Sequence, residues 1–272
     1  MDYADSASIS LVLANDPDAD RFAAAQKLSS GSWHTFSGNE LGILFAAQTL
    51  AAYRLKAPLG KINKLCMLCS TVSSQMLKTM ALAEGFRFEE TLTGFKWLGS
   101  RAVDLQADGY DALYAFEEAI GYMFSPVVHD KDGIAAASVF VTMAAGWASS
   151  SPRLTPYDKL QELYKKYGYF HCANRYFIST SPALTERVFA DIRARGKPHP
   201  ERLGQRKIAW WRDLTEGVDS ATADGKPTLP VSKSSQMITV ELEGGIRFTV
   251  RGSGTEPKIK GKELHYVVST PT

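Results

Sequence analysis

Cysteine is scarce in this sequence. There are three, which cannot all pair. Cys66 and Cys69 make a C-x-x-C inside an apolar run, and no second pair exists to complete a zinc site. Both read as buried thiols, and the cytosol is the expected compartment. The five histidines (His34, His129, His171, His199 and His265) show no metal spacing. An excess of one charge is also missing. The formal net charge is +2, so no basic field argues for nucleic acid. The longest apolar stretches carry polar residues before they could span a bilayer. The start, MDYADSASIS, is acidic and polar, unlike a secretory or mitochondrial presequence. No internal repeat is present. What remains is a chain of 272 residues, 44% hydrophobic and 22% charged. That describes a globular protein able to bury a core and long enough for two domains.

The densest chemistry lies in Asn15-Asp16-Pro17-Asp18-Ala19-Asp20-Arg21, after an apolar run from Ile9 to Leu13. A spacing of two puts Asp16, Asp18 and Asp20 on one side of an extended segment. Three carboxylates held together repel unless a cation sits among them, and Mg²⁺, a hard ion with oxygen ligands, suits them. Arg21 then offers a fixed charge to a phosphate oxygen. An EF-hand fails here, because its sixth and twelfth loop positions fall on Arg21 and Lys27. A haloacid-dehalogenase-like phosphatase also opens with a strand and D-x-D, but it wants Thr or Val where Asp20 stands. Ordinary turn chemistry is the bland reading of Asp-Pro-Asp.

A periodic segment from Leu41 to Leu55 predicts a helix, and Pro58-Leu59-Gly60 reads as a linker. Strand and helix then alternate: strand at 64–70, helix at 72–84, strand at 86–91, helix to about Asp108, strand at 112–117. Alternation predicts a parallel, doubly wound sheet with its site at the carboxyl ends of the strands. Those loops carry Ser70-Thr71, Thr93 with Lys96, and Glu117-Glu118. The loop from His129 to Gly133 adds Lys131, and a small-residue helix follows. From the residues alone, Glu117-Glu118 also reads as a solvated strand end, and the lysines as surface charges. Further on, Met237 to Glu243 and Ile246 to Val250 flank Gly244-Gly245 as a hairpin. It leads into Arg251-Gly252-Ser253-Gly254-Thr255-Glu256-Pro257-Lys258. Two glycines there let backbone N–H groups form an anion nest. Ser253 and Thr255 add hydroxyls, and Arg251, Lys258 and Lys260 add charge, a set that suits a phosphate monoester. Trp210-Trp211 reads as packing.

Four segments in series, DPDADR, FEEAIGY, DKDG and RGSGTEPK, resemble the α-D-phosphohexomutase superfamily. TGFKWLG and EEAIGYM are most similar to its phosphoglucomutase-2 (phosphopentomutase) branch. The resemblance covers residues from about 8 to about 260. It implies an α/β protein of mixed or parallel α/β sandwich domains with a smaller C-terminal α+β domain. Residues 1–58 would be the end of the family's second domain, with the metal loop; 59–172 the third, with the sugar loop; and 173–272 an incomplete fourth, with the phosphate loop. By the same resemblance Asp16, Asp18 and Asp20 hold Mg²⁺, with Arg21 and Lys131 in support. Thr93, Lys96, Glu117, Glu118 and Lys131 line the sugar pocket. Arg251, Ser253, Gly254, Thr255 and Lys260 take the phosphate that is not transferred. The implied activity interconverts a sugar 1-phosphate with its 5- or 6-phosphate through a bisphosphate, activated by glucose 1,6-bisphosphate. The implied partner is a small phosphosugar in the cytoplasm, with no nucleic acid and no membrane. The family's phosphoserine sits in a Ser-His-Asn-Pro-like loop of its first domain, and no Ser-His pair occurs in this sequence. Ala119 stands where other mutases of the superfamily have Ser. A catalytically silent phosphosugar-binding protein is therefore the alternative. A Mg²⁺-dependent phosphatase using Asp16 or Asp18 as nucleophile is the third reading.

Overall fold

The computed structural model describes residues 1–56, 61–253 and 258–267. The expected linker at Pro58-Leu59-Gly60, and the phosphate-loop residues Gly254 and Thr255, lie outside the described residues. The chain divides after Gly168 into two compact units.

The first unit begins with a short helix, α1 (Asp2–Ser6), and a three-stranded antiparallel sheet of β1 (Leu11–Asn15), β2 (Phe22–Lys27) and β3 (Trp33–Thr35). Asn15 pairs with Phe22, so the aspartate segment is the hairpin loop between β1 and β2. Next come α2 (Gly38–Lys56), β4 (Leu65–Ser70), α3 (Met76–Glu84), β5 (Arg87–Thr91), α4 (Phe95–Ala107), β6 (Asp111–Glu117), β7 (Gly121–Phe124), α5 (Gly133–Ala148) and α6 (Pro156–Tyr167). The second sheet runs β5-β4-β6-β7. Its first three strands are parallel, as alternation predicts, but β7 returns antiparallel to β6. The sheet is therefore mixed.

Central β4, LCMLCS, is buried at all six positions, the mark of a strand covered on both faces. A register shift opposite Cys66 and Met67 leaves Leu113 as an extra residue in β6. Ala112 and Ala115 thereby both face α4, where they pack with Leu98, Ala102 and Leu105. On the other face an aromatic cluster forms: Phe45 of α2 lies 4.9 Å from Tyr122 and 5.4 Å from Phe124, ring to ring. Helix α2 approaches closely because Gly42 has no side chain; a Cβ there would sit 2.4 Å from the Phe116 ring. Cys66 and Cys69 are buried free thiols, as expected, and burial pushes the Cys66 pKa up to about 12.

The second unit holds β8 (Tyr169–Ile178), α7 (Pro182–Arg193), β9 (Arg202–Leu203), β10 (Arg206–Asp213), β11 (Val218–Asp219), β12 (Met237–Leu242), β13 (Ile246–Gly252) and β14 (Lys258–Val267). The strands form an antiparallel sheet in the order β11-β10-β12-β13-β14-β8, with β9 on β10. The hairpin predicted around Gly244-Gly245 is β12–β13. One face of the sheet packs on α7: Phe189 meets Ile208, Trp211, Ile238, Val240, Leu242 and Ile259. Trp210 and Trp211 pack, as expected. The guanidinium groups of Arg212 and Arg247 lie 4.8 and 4.9 Å from the Trp210 ring centre.

Candidate functional site

The aspartate loop is held by backbone contacts. Asn15 Nδ2 donates to Arg21 O at 2.6 Å, and Arg21 N donates to Asp16 Oδ1 at 3.1 Å. Gly133 N donates to Ala19 O at 3.1 Å, and Phe22 N to Ile120 O at 3.1 Å. Gly133, the last residue of the DKDG segment, leaves just enough room. A Cβ on it would stand 2.3 Å from Arg21 O and 2.7 Å from Ala19 O.

The three carboxylates do not line up as an extended segment would place them. Ala19 has φ of 57° and turns the chain between the second and third aspartates. Asp18 is left exposed. Asp20 swings toward the DKDG loop, where Lys131 Nζ stands 2.8 Å from its Oδ2. The Lys131 hydrogen bond holds the Asp20 carboxyl below its usual range against the opposing effect of burial. The same bond raises the Lys131 pKa. Arg21 Nε lies 3.9 Å from carboxylate oxygens of both Asp16 and Asp20. Asp16 and Asp20 thus stay within reach of each other, with Arg21 and Lys131 as the neutralising cations, while Asp18 stands exposed. Among the described residues no three His, Cys, Asp or Glu side chains are grouped as ligands for one ion. Yet Asp20 Oδ1 is buried and accepts no hydrogen bond. A hard divalent cation fits that orphaned oxygen and the carboxylate set around it.

The sugar-loop candidates lie in the same unit. Glu117 Oε1 accepts from Gly94 N at 2.6 Å, at the start of α4. This contact joins the Thr93-Gly94 turn to the end of β6. Gly121 lets Phe95 and Lys131 close in, since a Cβ there would stand 2.7 Å from the Phe95 ring and 3.4 Å from Lys131 Cδ. Lys131 therefore reaches both the aspartate loop and the Glu117 turn. Lys96 is exposed, with its Nζ 5.2 Å from the Trp97 ring centre. Glu118 turns inward to Ser70 and Ser73, 3.3 Å from each hydroxyl. Ser70 and Thr71, expected as loop residues open to ligand, are fully buried.

The phosphate candidates divide within the second unit. Arg251 pairs with Lys260 and with Met237. By strand alternation these lie on the sheet face away from α7, with Thr239, Thr249 and Arg247. Ser253 instead borders a cavity of about 420 Å³ at the start of α7, and Lys258 touches it while its Nζ stands 5.0 Å from the Tyr176 ring centre, on the Lys260 face. Ser253 N donates to Lys258 O at 2.9 Å. The opposite wall was not anticipated from sequence: Ser179, Thr180, Ser181 and Thr185 on one side, Lys233 to Gln236 on the other. Ser181 caps α7 by accepting from Leu184 N at 3.2 Å, and Pro182 follows at N1. A Ser-Pro pair before a periodic segment is a readable helix start, and it was the available signal. Hydroxyls, a helix N-terminus and Lys233 suit an anion.

Residues 37–167 match the family described as phosphoglucomutase/phosphomannomutase, alpha/beta/alpha domain III. The chain is 45% identical to a phosphoribomutase of Saccharomyces cerevisiae, over 96% of this chain and 44% of that protein. It is 46% identical to a phosphopentomutase of Mus musculus, over 94% of this chain and 42% of that one. It is 44% identical to a glucose 1,6-bisphosphate synthase of Mus musculus, over 92% and 40%. Among solved structures, the open form of pp63/parafusin, a phosphoglucomutase from Paramecium, shares the fold. Its TM-score is 0.66 at 17% identity, over 97% of this chain and 42% of that one. The chain thus spans less than half the length of the relatives it matches. Among the described residues no helix is long and apolar enough to cross a membrane.

Proposed function

The chain belongs to the α-D-phosphohexomutase superfamily and carries its alpha/beta/alpha domain III; from that premise we propose that it supplies the metal, sugar and phosphate grips of a phosphosugar mutase. The reaction would interconvert a pentose or hexose 1-phosphate with its 5- or 6-phosphate through a bisphosphate, in the cytoplasm. The observation that carries this reading is the meeting of three loops in one unit. Lys131 joins the aspartate loop through Asp20 at 2.8 Å, and packs beside Gly121 at the end of the Glu117 turn. The order of the loops along the chain, aspartate, glutamate and phosphate, follows the family's second, third and fourth domains.

Asp16, Asp18 and Asp20 would hold Mg²⁺, which when bound supplies positive charge to the oxygens of a moving phosphoryl group. Arg21 and Lys131 add fixed cations beside it. Glu117 accepts from sugar hydroxyls, with Thr93 and Lys96 at the edge of the same pocket. In the second unit Ser253 and Lys258, with Gly254, Thr255, Arg251 and Lys260, would take the phosphate that is not transferred. No residue of this chain is assigned as the phosphoryl acceptor. A catalytically silent phosphosugar-binding protein is the second reading.

Purified chain with ribose 1-phosphate or glucose 1-phosphate, Mg²⁺ and glucose 1,6-bisphosphate separates the two. Turnover by this chain alone would show a phosphoryl acceptor within it and remove the silent reading. Saturable bisphosphate binding without turnover supports the silent reading. Neither turnover nor binding would contradict both.

A further inference from the structure

Glu117 and Glu118 are neighbours at the end of β6, so something must decide which carboxylate faces the pocket. Ser70 and Ser73 are fully buried, and their hydroxyls are 2.8 Å apart. Each stands 3.3 Å from Glu118 Oε2. Ser73 Oγ also accepts from Glu118 N at 3.1 Å. The loop is thus gripped through backbone and side chain at one residue, and the next carboxylate back, Glu117, meets Gly94 N at 2.6 Å. A close approach of α2 supports the same turn, since a Cβ on Gly38 would lie 2.1 Å from Glu118 O.

We propose that Ser73 is a positioning residue: by holding Glu118 inward it sets the Glu117 carboxylate against the Gly94 amide, at the mouth of the sugar pocket. The inference rests on the proposed role of Glu117 only for its functional consequence. Its structural half stands by itself. Ser74 is the natural comparison. It is 2% exposed in the same turn, and its hydroxyl accepts from Met76 N at 3.3 Å rather than meeting Glu118.

The test is hydrogen exchange at the Gly94 amide, read by NMR on the whole chain, with glucose 1,6-bisphosphate affinity measured by calorimetry alongside. Ser73→Ala is expected to speed Gly94 exchange and to weaken the bisphosphate by about tenfold each, the scale of one lost buried hydrogen bond. Ser74→Ala removes an equally buried hydroxyl and is expected to leave both within about twofold. Unchanged Gly94 exchange in Ser73→Ala, or an equal change in Ser74→Ala, overturns the proposal. Should Ser73→Ala fail to fold, Glu118→Ala removes the side-chain half of the same grip, leaving the Glu118 amide on Ser73, and is read by the same two outcomes. If the native chain binds no bisphosphate, the sugar-binding reading falls, while Gly94 exchange still decides the positioning role.

Discussion

The aspartate loop of the first unit and the phosphate loop of the second are both short, charged connections between antiparallel strands. They are built in opposite ways. The aspartate loop is clamped through its backbone: Asn15, Gly133 and Ile120 each hold it, and Lys131 neutralises Asp20. The cavity beside Ser253 is assembled from donors on separate segments, namely the start of α7, residues 233–236 and the end of β13. A clamp fails sterically and all at once, whereas a set of separate donors weakens one contact at a time.

The largest effect should therefore come from the clamp. Gly133→Ala places a Cβ 2.3 and 2.7 Å from backbone oxygens of Arg21 and Ala19, so the loop must shift. We expect a loss of about 2–3 kcal/mol in urea denaturation, the range for overpacking, and loss of Mg²⁺ binding. A wild-type midpoint would break the distinction drawn between the two loops.

A buried ion cluster away from either loop tests whether the first unit depends on charge elsewhere. Glu84 has an 8% exposed side chain and meets Arg54, Lys166 and the Tyr167 hydroxyl. Burial by itself would raise its pKa, but hydrogen bonds from Lys166, Tyr167 and Arg54 outweigh that and hold it at about 2, against an ordinary 4.5. A depressed carboxylate stabilises above its unfolded pKa. Its contribution should be complete above about pH 4.5 and fade as the pH falls toward 2. Glu84→Gln should cost about 2 kcal/mol at neutral pH, discounted because Arg54 and Lys166 are half exposed. Stability curves of variant and native chain should converge in acid; a constant gap would rule the linkage out.

Smaller changes belong to the second unit. Ser181→Ala removes the α7 cap and should cost about 1 kcal/mol, with inorganic phosphate binding weakened about twofold to threefold. Lys260 lies on the sheet face away from the α7 cavity. Lys260→Ala should thus change phosphate affinity less than Lys233→Ala, at a residue that borders the cavity, and the reverse order would place the binding face wrongly.

Much of the fold was legible in the sequence. Strands β4 to β6 and their helices follow from apolar alternation, and β12–β13 from the paired glycines. The misses have physical causes. Strand β7 is four residues long and apolar throughout, with no alternation to read. Helix α3 begins at Met76 rather than Val72, because Thr71, Ser73 and Ser74 bond to Thr91, Glu118 and Asn39, partners far along the chain. Strand β14 (Lys258–Val267) was not assigned from sequence, so the face of Lys260 was hidden. The aspartates were legible as residues but not as geometry, since the positive φ at Ala19 carries no sequence signal.

The central claim is that the aspartate loop is a cation site. Calorimetric titration of Mg²⁺ into the native chain and into Asp18→Asn tests it most directly, because Asp18 is exposed and its replacement is expected to leave the fold intact. The account predicts saturable binding in the native chain, lost in the variant at an unchanged melting temperature. Equal Mg²⁺ affinity in both, or none in the native chain, would contradict it.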